Sequence, residues 1–95
     1  MYEIVYFNWS GTKEEMQVEM NIVEKIANKY NVELVGVFIP SNEWKHAALY
    51  KSKDFDAFLK FQKEIRRELH KAEITHKERE SPRKLELLVD IDTLY

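Results

Sequence analysis

The chain has 95 residues, 44% hydrophobic and 34% charged, with a formal net charge of −2 and no cysteine. Such a profile fits one folded domain spanning residues 1–95, with roughly 60–65% of its unfolded surface buried. It excludes disulfides, thiolate catalysis and cysteine-based metal sites, and it argues against a general nucleic-acid or acidic-membrane binder, which is normally basic.

No apolar run approaches the ~20 residues of a membrane helix. The start of the chain runs straight into a strand pattern, without a basic region or a small-residue cleavage site. No secretory signal is therefore expected, and a cytoplasmic location is the default expectation.

Tyr2 to Trp9 reads as a strand. Alternation puts Glu3, Val5, Phe7 and Trp9 on one face and Tyr2, Ile4, Tyr6 and Asn8 on the other. Both faces carry large apolar groups. A strand with one wet face should alternate between apolar and polar, so a cover is expected on each side. Ser10-Gly11-Thr12 is a turn, and Thr12 with Glu15 fits the capping box that opens a helix. Met16, Met20, Val23, Ala27 and Tyr30 then recur at helical spacing, widened by Ile22 and Ile26. The helix predicted is Lys13 to Tyr30, stopped at Asn31.

Val32 to Ile39 is a second strand, β-branched and apolar on both faces. Pro40 to Glu43 reads as a hairpin loop, and Trp44 to Lys51 as a third strand. Ser52 or Asp54 caps a second helix that carries Phe55, Phe58, Leu59, Gln62, Ile65 and Leu69, with Phe61 on a shoulder, and runs to about Ala72. Glu73 to Lys84 is a charged connection containing His76 and Arg79, and Leu85 to Asp92 is the last strand.

Strand, helix, strand, strand, helix, strand is the split βαβ pattern of the α+β ferredoxin-like fold. It predicts a four-stranded antiparallel sheet in the spatial order fourth, first, third, second, with both helices on one face. The helix side is expected to take Val5, Phe7, Val35, Val37, Ala47, Leu49, Leu87 and Val89. The opposite face is expected to show Ile4, Tyr6, Asn8, Leu34, Phe38, His46, Ala48, Tyr50, Glu86, Leu88 and Asp90. That face is too apolar to stand in water, which points to two-fold pairing of sheets, with a cleft between them for a small apolar ligand.

The passage Lys45-His46-Ala47-Ala48-Leu49-Tyr50, running into Lys53-Asp54-Phe55-Asp56-Ala57-Phe58, resembles the dimeric α/β-barrel superfamily. The likeness is one of pattern and covers about residues 2–92. It implies a homodimer that pairs through the open sheet face. That superfamily holds cofactor-free monooxygenases, isomerases, haem-degrading enzymes and stress proteins, and no catalytic signature of any of them is matched residue by residue.

On the open face His46 is the candidate acid/base, because its ordinary pKa of ~6.5 allows proton transfer near neutrality. Tyr6, Asn8, Phe38, Tyr50 and Glu86 are the candidate ligand-binding residues. His46 and Glu86 are expected two strand spacings apart, roughly 10 Å. No metal site is expected, since His70 falls on the second helix and His76 in the charged connection. No cofactor is expected either: glycine-rich phosphate loops are missing. The third strand lacks the glycine-aromatic segment of RNA-recognition sheets. Two functions follow as alternatives: a non-enzymatic homodimer holding a small apolar ligand, or a cofactor-independent monooxygenase or isomerase that uses His46.

Overall fold

Local chemistry sets most element boundaries. A computed structural model describes residues 1–8, 11–71, 83–89 and 91–94. Its elements are β1 (Tyr2–Phe7), α1 (Lys13–Lys29), β2 (Glu33–Phe38), β3 (His46–Lys51), α2 (Phe55–Lys71), β4 (Lys84–Leu88) and a closing 3-10 turn, Ile91–Leu94. Trp9, Ser10, most of the charged connection with His76 and Arg79, and Asp90 lie outside the described residues.

The capping box at the start of α1 is complete. The Glu15 N–H donates to Thr12 Oγ1 and the Thr12 N–H to Glu15 Oε1, both at 3.1 Å. Asn31 ends α1 with φ of 55°, a left-handed conformation that asparagine tolerates better than most residues. Of the two candidate caps for α2, Asp54 takes the role: its Oδ1 accepts from the Ala57 N–H at 2.8 Å. Ser52 turns instead toward β1. The third strand begins at His46 rather than Trp44, because the loop before it is tied elsewhere. The last strand stops at Leu88 rather than Asp92, where the 3-10 turn follows.

The sheet is antiparallel in the order β2-β3-β1-β4. From the β4 edge this runs fourth, first, third, second, as the order of elements predicts. Residues of both helices join one buried cluster with one face of the sheet: Val23, Ile26 and Ala27 from α1, Phe58, Phe61, Ile65 and Leu69 from α2, Phe7, Ala48 and Tyr50 from the strands. Full burial of a large aromatic side chain contributes roughly 1.5–3 kcal/mol, so Phe58 and Phe61, both at 0% exposure, anchor this layer. Phe61 is a centre of the core and Leu59 is exposed, the reverse of their expected roles. Across the helix pair, Glu64 accepts from Lys29 Nζ at 2.9 Å and from the Tyr30 hydroxyl at 2.8 Å.

Strand parity requires two corrections. On β3, Ala48 and Tyr50 face the helices, whereas Ala47 and Leu49 were expected there. The Tyr50 ring packs 5.6 Å from Phe58 and 5.2 Å from Phe61, centroid to centroid. The opposite parity would leave that ring in water and put only alanine and leucine against two phenylalanines, so packing selects Tyr50. On β2, the register shifts between Leu34 and Gly36, so Leu34 opposes Tyr50 while Val37 opposes Ala48. A bulge of this kind changes parity within one strand. Leu34 therefore packs on the core, where it was expected outside, while Val37 keeps the helix side.

Candidate functional site

The site builds from what the corrected parity leaves uncovered. β1 presents Tyr2, Ile4 and Tyr6 to the open face, and their cross-strand neighbours share it: Lys51, Leu49 and Ala47 from β3, and Leu88, Glu86 and Lys84 from β4. Phe38 and Gly36 of β2 complete it opposite Ala47 and Leu49. Its centre is apolar, with charges toward the edges.

A polar cluster of Asn42, Tyr6, Glu86 and Lys84 lies at one end of this face. The Trp44 backbone N–H donates to Asn42 Oδ1 at 2.9 Å, an Asx turn that fixes the Asn42 side chain. Glu86 and Asn42 act on the Tyr6 hydroxyl with opposite sign, Glu86 raising its pKa and Asn42 lowering it. Glu86 in turn pairs with Lys84 at 3.6 Å. Two further groups frame the Tyr6 ring: the Trp44 ring with centroids 6.4 Å apart, and Lys84 Nζ at 5.9 Å from the ring centre. Burial and then the bond to Glu86 hold the Tyr6 phenol above the ordinary tyrosine range, against Lys84 and Asn42, which pull it down.

Among the sequence-predicted site residues, Tyr6, Glu86 and Phe38 stand on the open face. Tyr50 does not: it is 5% exposed, inside the core. His46 also belongs to the other face, its ring stacked on Phe7 with centroids 5.2 Å apart. His46 and Glu86 are therefore separated by the sheet itself, and the expected approach across a ligand does not occur. Asn8 is engaged structurally, since its Oδ1 accepts from the Lys45 N–H at 3.0 Å and so fixes the entry to β3. Lys84, Asn42 and Trp44 are the members of the cluster that sequence reasoning missed. The Ser-Asn-Glu-Trp run carried a signal for one of them, because Asn two residues before Trp fits the Asx turn.

Beneath the sheet, a cavity of about 30 Å³ is lined by Phe7, Val23, Ala48, Tyr50 and Ile65, among others. It has room for about one water molecule, so the interior of the single domain offers no substrate-sized chamber at that place. Among the described residues no cluster of three or more metal-ligating side chains occurs, and no helix is long and apolar enough to cross a membrane.

Fold and face together define a small α+β domain: a four-stranded antiparallel sheet covered on one side by two helices. No family model and no curated protein matches the chain.

Proposed function

We propose that the domain works as a homodimer, two copies stacked through their open sheet faces, with a small apolar ligand held between them. The single observation behind this reading is the apolar centre of a sheet whose helices, among the described residues, lie on its other side. Phe38 is 52% exposed and Leu88 44% exposed, beside Ile4 and Leu49. An exposed apolar face of this composition marks an association site.

Area supports a second copy as the occupant. Four strands at ~4.8 Å spacing and about six residues long give each face a footprint of roughly 380 Å². A standard stable interface buries ~800 Å² of accessible surface on each partner. Side chains standing on the sheet raise the footprint toward that figure. Two-fold symmetry makes one such patch self-complementary. Aromatic anchors suited to an interface are present in Tyr6, Trp44 and Phe38.

The ferredoxin-like assignment and the resemblance to dimeric α/β barrels belong to this reading. Supporting them are the order of elements and the packing of both helices on one face. The polar chain from Asn42 to Lys84 would set the polar end of an otherwise apolar chamber.

Sedimentation equilibrium at micromolar concentration tests the proposal. Wild type is expected to be dimeric and Leu49→Lys monomeric but folded. A monomeric wild type would remove the reading.

A further inference from the structure

One buried acid plays no part in the open face. Glu3 stands on the helix side of β1, opposite Tyr50 on β3 and Leu87 on β4, and is 0% exposed. Its Oε1 accepts a hydrogen bond from Ser52 Oγ, and its Oε2 is buried with no hydrogen-bond partner among the described residues. Ser52 is held from a second direction by the chain start: its N–H donates to the Met1 carbonyl at 2.9 Å, and the Met1 ammonium donates to the Ser52 carbonyl at 3.2 Å. Glu3, Ser52 and Met1 thus tie the beginning of β1 to the turn between β3 and α2.

A carboxylate in such a place needs donors for both oxygens, and this one has a single hydroxyl. Its cross-strand neighbours are Tyr50 on β3 and apolar Leu87 on β4, and the Ser52 hydroxyl from the turn after β3 reaches its carboxyl. Among the described residues the Met1 ammonium is the cation that acts on it, and it donates a hydrogen bond to the Ser52 carbonyl. Burial without compensation disfavours the charged form.

We propose that Glu3 is an acid-favoured clamp: the protonated carboxyl suits the closed junction between β1 and Ser52, and loss of its proton loosens that junction. Consistently, burial raises the Glu3 carboxyl above its ordinary 4.5, with the Ser52 hydrogen bond and the Met1 charge opposing. A group whose folded-state pKa is raised stabilises the fold most below its unfolded value. The stabilisation is lost as pH rises through the folded value.

The test compares wild type with Glu3→Gln, which keeps the shape and cannot ionise. Thermal midpoints are measured from about pH 4 to about pH 8 at fixed protein concentration. The Glu3 carboxyl of wild type is titrated in parallel by carbon-detected NMR. Expected are a Glu3 titration above 4.5 and a wild-type midpoint that falls with pH relative to the variant. Each unit of that upward displacement lowers the wild-type folding equilibrium constant about tenfold, relative to the variant, between low pH and a pH above both values. Parallel pH profiles, or a Glu3 carboxyl titrating at or below 4.5, overturn the proposal. If Glu3→Gln does not fold, the wild-type titration decides alone. Ser52→Ala, which removes the one donor, should push that titration higher still.

Discussion

The ring of Phe38 lies against the backbone of Gly36: a Cβ built on Gly36 would meet Phe38 Cζ at 2.8 Å. Residues two apart on one strand share a face, and here the absence of a side chain lets the aromatic ring settle on the sheet instead of standing off it. The atom in the way is the far end of a half-exposed side chain. Gly36→Ala should therefore displace the ring while leaving stability within about 0.5 kcal/mol of wild type. If the open face is an interface, the same substitution weakens self-association. Denaturant unfolding with sedimentation equilibrium separates the two effects, and an unchanged dimer would mean that Phe38 does not anchor it.

Phe61→Ala tests where the core is centred. The ring is fully buried, 5.2 Å from Tyr50 and 5.8 Å from Phe58 by centroid. A large-to-small change there costs about 3–5 kcal/mol, against a total stability of about 5–15 kcal/mol for a domain of this kind. Leu59→Ala, on the exposed side of the same helix, should cost a small fraction of that. Urea midpoints of the two variants check the ranking.

Glu64 contributes to the acid limb of stability. Hydrogen bonds from Lys29 and Tyr30 hold its carboxyl below the ordinary 4.5. A depressed folded-state pKa gives stabilisation that is present above the unfolded value and is lost as pH falls through the folded one. Glu64→Gln should flatten the decline of the thermal midpoint below about pH 4.5 and leave the neutral region less affected. Glu3 acts with the opposite sign above 4.5, so the two variants should flatten opposite limbs of one profile.

Tyr6 should deprotonate above its ordinary 10.0, with Glu86 as one cause after burial. Its contribution to stability is held below the unfolded value and is lost as pH rises through the folded one. Phenolate absorbance in wild type, Glu86→Gln and Tyr6→Phe checks this: Glu86→Gln should lower the transition that Tyr6→Phe removes. An identical titration in wild type and Glu86→Gln would show that the Tyr6–Glu86 bond is not maintained in solution.

The sequence by itself determined whatever depends on near neighbours. The Thr12–Glu15 box, the stop at Asn31 and the stripe from Met16 to Ala27 are short-range, so they were legible from spacing. The alternation of six elements was equally legible, and with it the strand order, since short connections leave few alternatives. Tertiary structure decided parity. β2 and β3 are apolar on both faces, so nothing local distinguishes Ala47 and Leu49 from Ala48 and Tyr50. Only the volume beside Phe58 and Phe61 does. That choice also carried His46 to the helix side, away from the open face it was expected to share with Glu86, because a strand turned by one residue exchanges every side chain it presents. The bulge between Leu34 and Gly36, the Glu3–Ser52 contact and the Tyr6 network were hidden for the same reason: each joins residues far apart in the chain, and their meeting is a property of the packed sheet.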